Sequence, residues 1–195
     1  MELNTNFAMF LTAIALIGYT IYCIAKRVKL SKALLRLLFI GYIGAVIAIT
    51  LFPLIVSVYP GQSIPDLGYN LIPLSGISNT IGTWGAFQDW RGQVPWIVLG
   101  GNIVMFAPLG IFLPLIFPST RRLGKLFVTV LLSSCAIELA QLFLGLMAGS
   151  LYRCVDIDDV ILNTLGGLLG YAIYRLIRRI VRPLRRTEES PGSYV

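Results

Sequence analysis

Histidine is absent from the 195-residue sequence. That excludes Ser-His-Asp and Cys-His catalysis and any zinc site that needs an imidazole. Charge is scarce as well. Charged residues make up 13% of the chain, against roughly 25% in a soluble domain, so a water-soluble globule is excluded. The three cysteines, Cys23, Cys135 and Cys154, show no C-x-x-C spacing, which removes a disulfide framework and a cysteine metal cluster. No segment repeats, which argues against an inverted-repeat transporter. What the chain has in excess is apolar residues, at 56%. That excess excludes disorder for most of its length.

A helix needs about 20 apolar residues to cross a bilayer core. Five segments meet or approach this, at about 7–25, 33–59, 95–117, 126–147 and 157–177. The fourth is interrupted only by Glu138. The fifth is short between Asp159 and Arg175, and it spans if the arginine snorkels. Lys26, Arg27, Lys29, Lys32 and Arg36 then share one side with Arg121, Arg122 and Lys125 and with the arginines from Arg175 to Arg186. Only Arg91 and Arg153 fall on the other side. The positive-inside rule makes the first side cytoplasmic. The N-terminus is then outside and the C-terminus inside, which requires an odd number of spans. The basic clusters are explained by topology and anionic headgroups, with no nucleic-acid partner. The first segment carries Glu2 before it and basic residues after it, so it reads as an uncleaved helix. The expected fold is an all-α polytopic membrane protein: one transmembrane domain over 1–184, then a flexible cytoplasmic tail over 185–195.

Small residues stand four apart at Gly41/Ala45, Gly44/Ala48 and Gly166/Gly170. Such pairs allow close helix contact in lipid, where packing replaces hydrophobic drive. Pro53, Pro108 and Pro114 are expected to kink or end helices. Pro95 suits a first helical turn, and Pro118 suits the position just past an end.

The informative residues are polar groups where polar groups are costly. Glu138 lies mid-span, where a charge costs about 2.5–3.5 kcal/mol on insertion scales. Gln141 follows on the same helix face. After the fourth span come Arg153, Asp156, Asp158 and Asp159, then Asn163. Asp156, Asp159 and Asn163 share one face, and Asp156 can cap the helix start. Asn102 lies one or two turns below the outer end of the third span. The outer loop from about Pro60 to Val94 carries Asn70 and is poor in charge. It can form a re-entrant or interfacial segment, with Trp84, Trp90 and Trp96 at headgroup level. Asn70, Asn102, Glu138, Gln141, Arg153, Asp156, Asp159 and Asn163 thus all belong to the outer half. Two readings follow. One is a buried ion-pair network, with Arg153 paired to Glu138 or Asp156, that fixes helix packing. The other is a site for a polar or anionic headgroup, with Arg153 on a phosphate or carboxylate.

The runs Asn70-Leu-Ile-Pro73, Asn102-x3-Phe106-x-Pro108-Leu-Gly110, Ile137-Glu138-Leu-x-Gln141 and Arg153-x-x-Asp156-Ile-Asp158-Asp159-x3-Asn163-Thr-x-Gly166 resemble the VanZ-like family. The similarity covers about 70–175, and the motif order is kept. The motifs are specific jointly, and no single one is. The two N-terminal spans match only in kind. That family is known for some members that raise resistance to teicoplanin and related lipoglycopeptides. The resemblance therefore implies a cell-envelope role in a bacterial cytoplasmic membrane, without implying a defined reaction.

The function expected first is non-enzymatic: an outward polar pocket that binds a membrane lipid headgroup, a lipid-linked cell-wall precursor or a lipoglycopeptide, with no cofactor. The alternative is an intramembrane enzyme on an envelope lipid. Glu138 would be its general base, and the acidic group Asp156–Asp159 would assist, Asp158 and Asp159 holding a divalent ion. Adjacent aspartates point to different helix faces, so joint chelation needs a non-helical start. A structural partner of another envelope protein is the third class. Only the small-residue faces permit it.

Overall fold

The computed structural model describes residues 2–3, 5–52, 54–55, 69–82, 94–148 and 155–188. Five long helices form a bundle: α1 (Thr5–Ala25), α2 (Leu30–Leu51), α4 (Val94–Ile116), α5 (Leu123–Ala148) and α6 (Ile157–Glu188). A short helix, α3 (Ser75–Gly82), lies between α2 and α4, and a 3-10 turn (Pro118–Arg121) joins α4 to α5. The five long helices are each long and apolar enough to cross a membrane. Their outer surfaces carry Met9, Phe10, Ile14, Ile21, Leu38, Val104, Leu132, Phe143 and Leu169 in exposed positions. A helical bundle with an apolar outer surface, its backbone polar groups bonded within the helices, suits lipid as its solvent.

Beyond the helices there are two two-residue pairings. β1 (Glu2–Leu3) pairs antiparallel with β2 (Leu54–Ile55), and β3 (Tyr69–Asn70) pairs parallel with β4 (Val155–Asp156). The first pairing sets the start of α1 beside the end of α2. The second sets the α2–α4 connection against the start of α6. Both lie at one end of the bundle, called here the polar end.

The boundaries differ from the sequence expectation where proline acts. The second span was expected to reach residue 59, but α2 ends at Leu51, and Phe52 after it is extended, with φ −127° and ψ 156°. A residue before proline is pushed out of the helical region, and Pro53 follows Phe52. Pro108 and Pro114 both stay within α4. The last helix runs on to Glu188, into the stretch expected to be a loose tail. Residues 189–195 lie outside the described residues.

α4 and α6 form the most extensive helix pair. They run parallel and touch backbone to backbone. A Cβ on Gly166 would stand 2.2 Å from the Ile103 carbonyl oxygen, and one on Gly170 would stand 1.8 Å from that of Ala107. One on Gly110 would meet the Gly167 oxygen at 1.9 Å. This seam places the start of α6 opposite Asn102. α5 lies antiparallel to α6, with Val130 against Gly167. Below the polar end the three helices close over an apolar core of Phe106, Leu109, Leu113, Leu126, Val130, Tyr171 and Tyr174. α2 joins through Phe39 and Tyr42, and the Tyr42 hydroxyl donates to the Met105 carbonyl at 2.8 Å. α1 packs on α2, where Gly44 admits Thr12. Gly41 faces open space, so of the two small-residue pairs in α2 its glycine makes no close approach.

Candidate functional site

The polar end is stepped. The Asp156 N–H, immediately before α6, donates to Glu138 Oε2 at 3.2 Å. About 15 Å of helix separates Glu138 from the end of α5 at Ala148. Likewise Gln141 Nε2 donates to the Thr50 carbonyl at 2.9 Å. The end of α2 therefore lies about 10 Å, measured along α5, short of the α5 tip. Asn102 stands about 12 Å of helix inward from the start of α4. The end of α2 and the start of α6 are thus sunk between α4 and α5, which extend further at this end, and the polar side chains collect at the depth of the step.

Asp156 begins the cluster. Its Oδ1 accepts the Asp158 N–H at 2.8 Å, a helix-capping bond. The same oxygen accepts Asn70 Nδ2 at 2.8 Å across the β3–β4 pairing. Asn70 Oδ1 in turn accepts the Ser75 hydroxyl at 2.5 Å. Glu138 is 5% exposed. Its bond to a main-chain N–H at the start of α6 places a carboxyl where the helix dipole is positive, which favours it.

Asp158 does the most and was least legible in the sequence. It is 1% exposed. Its Oδ1 accepts the Leu74 N–H at 2.5 Å, and its Oδ2 accepts those of Gly76 at 2.8 Å and Ile77 at 3.2 Å. The first N–H groups of a helix have no internal partner, and a side chain usually caps them from the preceding residue. Here the cap comes from α6. Leu74, which precedes α3, has φ 68°, a region costly for a bulky L-residue. The bond to Asp158 helps to hold it there. A Cβ on Gly76 would stand 3.0 Å from Asp158 Oδ2, so this position admits the carboxylate because it has no side chain.

The remaining residues divide by helix face. Asp159 turns to α4, where Asn102 Nδ2 donates to its Oδ1. Asn163, one turn further in, donates from Nδ2 to Ser134 Oγ on α5 at 2.9 Å. Asp158 and Asp159 therefore point to different neighbours, as their adjacency on a helix requires. Among the described residues, no three acidic or cysteine side chains converge as a metal site. Arg153, Trp84 and Trp90 lie outside the described residues, as does the Trp96 side chain. Asn70, Glu138 and Asp156 form one hydrogen-bonded run, Asn102 pairs with Asp159, and Gln141 diverges to α2. Ser75, Gly76 and Ser134 were not among the residues expected at the site, and Asp158 was expected only in the enzymatic alternative, as a metal ligand. A hydrophilic residue adjoining Asp159 was the available signal for Asp158, but its partners are main-chain groups that carry no side-chain pattern.

Five apolar helices around an interior band of carboxylates and amides define a multi-pass membrane protein with a polar cluster below one face. The model of the VanZ/LLP1 family matches residues 39–178, and the chain belongs to that family. The match begins within α2, so it reaches further toward the N-terminus than the motif run from Asn70. Protein VanZ of Enterococcus faecium is 29% identical over 147 residues, covering 75% of this chain and 74% of that protein. No solved structure matches.

Proposed function

We propose that the stepped polar end faces outward from a bacterial cytoplasmic membrane and binds an envelope ligand. That ligand is a lipid headgroup, a lipid-linked cell-wall precursor or a lipoglycopeptide, and binding lowers access of teicoplanin-type drugs to the membrane surface. The orientation rests on the charge bias, with Arg121 and Arg175 at the opposite, cytoplasmic end. The 69–77 segment then acts as a re-entrant piece, tolerated at depth because Asp156 and Asp158 satisfy its polar groups. The observation that carries the reading is the depth of Glu138. A carboxyl buried about 15 Å of helix below the tip of its own span is costly, and packing alone would be served better by an apolar residue. Asn102 and Asp159 lie beside it, Asn163 one turn deeper and Gln141 toward α2, and Arg153 is the cation proposed for an anionic group.

The enzymatic alternative draws less support. Both oxygens of Asp158 and Oδ1 of Asp156 are engaged by N–H donors, which leaves them poorly placed as bases or chelators.

Glu138→Gln keeps the side-chain shape and removes the charge. In a host whose teicoplanin tolerance depends on this protein, the variant is expected to lose that tolerance at unchanged membrane abundance. Full tolerance at equal abundance would overturn the proposal.

A further inference from the structure

The end of the bundle opposite the polar cluster carries arginines, and two of them are held in place. Pro118 has no N–H, so the carbonyl of Pro114, four residues earlier, lacks its helical partner. Arg121 folds back and supplies one: its Nε donates to that carbonyl at 3.2 Å. Pro114 is fully buried. An arginine that only snorkels would point the other way, out to water. Tyr171, 5% exposed, makes the second hold. Its hydroxyl donates to the Arg121 carbonyl at 2.6 Å and accepts Arg175 Nη1 at 3.3 Å. The Arg175 guanidinium carbon also stands 5.9 Å from the centre of the same ring, within reach of a cation–π attraction.

Both guanidinium groups therefore lie at one level. Pro114 is one turn beyond Gly110 on α4, and a Cβ on Gly110 would stand 2.8 Å from the Tyr171 nitrogen. The positive-inside rule asks only for a number of basic residues on this side. It does not ask for arginines fixed against a buried tyrosine and a buried carbonyl, which costs side-chain entropy. Each arginine spends one of five N–H groups in these bonds, and the rest form the planar fork that suits a phosphate. The described acids lie elsewhere. Glu2, Glu138, Asp156, Asp158 and Asp159 belong to the polar end, and Glu188 is about 20 Å of helix beyond Arg175. Beside the arginines in sequence stand Phe117, Leu123, Leu176 and Ile177, all exposed. A free phosphate would meet the guanidinium groups and leave these apolar side chains uncovered. A phospholipid meets both, with its phosphate on the arginines and its acyl chains along the helices.

We propose that Arg121 and Arg175, oriented by Tyr171, hold the phosphate of an anionic phospholipid at this basic end. The site lies at the opposite end from Glu138, so it goes beyond the envelope-ligand reading and does not depend on it.

The test is native mass spectrometry and thermal unfolding of the full-length protein in detergent, titrated with phosphatidylglycerol, phosphatidylcholine or inorganic phosphate. Phosphatidylglycerol is expected to be retained and to raise the midpoint by several degrees over the other two. The double variant Arg121→Gln/Arg175→Gln should bind it about tenfold more weakly or worse. Tyr171→Phe keeps every charge and removes the orienting hydroxyl, and should weaken binding as well. Lys26→Gln/Lys32→Gln removes two charges from exposed positions at the same end and should bind as the wild type does. Equal stabilisation by inorganic phosphate would make this a free-anion site, and equal stabilisation by phosphatidylcholine would make headgroup charge irrelevant. Equal weakening in the two double variants would reduce the site to diffuse surface charge. Each of these results would overturn the proposal, as would full phosphatidylglycerol affinity in the arginine variant.

Discussion

Gly170→Ala is expected to leave little folded protein. The added methyl would stand 1.8 Å from the Ala107 carbonyl oxygen and 2.8 Å from its carbon. Both atoms belong to a helix backbone, so no side-chain rotation relieves the contact. Relief requires α4 and α6 to move apart along their length. Gly166 and Gly110 would then lose their own close contacts, and Phe106 and Leu109 would lose packing against Tyr171. Overpacking a side chain into a core costs about 1–3 kcal/mol, and a clash with main chain falls at or beyond the upper end of that range. Lipid tails are as apolar as the helices, so van der Waals contact carries much of the association, and a widened seam forfeits it. The check is monodisperse yield and unfolding midpoint in detergent. Gly41→Ala, whose Cβ meets nothing within 4 Å, serves as the internal comparison and should unfold with the wild type. A Gly170→Ala midpoint close to wild type would show that the seam is looser than described.

Asp158→Ala is expected to free the segment around Asn70 and α3 while the five long helices stay assembled. The substitution strips the acceptor from the Leu74, Gly76 and Ile77 N–H groups together. Each buried donor left unsatisfied costs about 1–3 kcal/mol, and Leu74 loses a bond that holds its left-handed backbone. The α3 start also loses a negative charge at the positive end of its dipole. Hydrogen exchange should rise sharply at those three amides, with α5 and α6 protected as before. Asp158→Asn retains one acceptor oxygen and should fall between wild type and the alanine variant. Unchanged exchange at Leu74, Gly76 and Ile77 in Asp158→Ala would contradict the cap.

The spans were legible because hydropathy and length decide them, and each long helix lies over a segment expected to span. Ends were less so. Proline cut α2 back to Leu51, while hydropathy alone carried the reading on to residue 59. The Gly166/Gly170 pair was legible from its spacing, but Gly110, which completes the seam from α4, was not, since its partner is a main-chain oxygen on another helix. Gly41/Ala45 and Gly44/Ala48 have identical spacing, and only helix rotation distinguishes them: Gly44 turns to Thr12 on α1, and Gly41 turns away. Within the site, Asp156 as a helix cap and the separate faces of Asp158 and Asp159 followed from local helical geometry. The role of Asp158 did not, because it caps a helix 82 residues earlier in the chain through main-chain donors. The charge-poor outer loop hid α3 for the same reason. Its start is secured by a partner distant in sequence, and its eight residues are too few to register as a helix on composition.

The most direct measurement is native mass spectrometry of the detergent-purified protein, wild type against Glu138→Gln. Each would be presented with phosphatidylglycerol, phosphatidylethanolamine, an undecaprenyl-linked wall precursor and teicoplanin. At least one of these is expected to be retained by the wild type at defined stoichiometry and released from the variant. Equal retention by both proteins, or retention of none by the wild type, would contradict it.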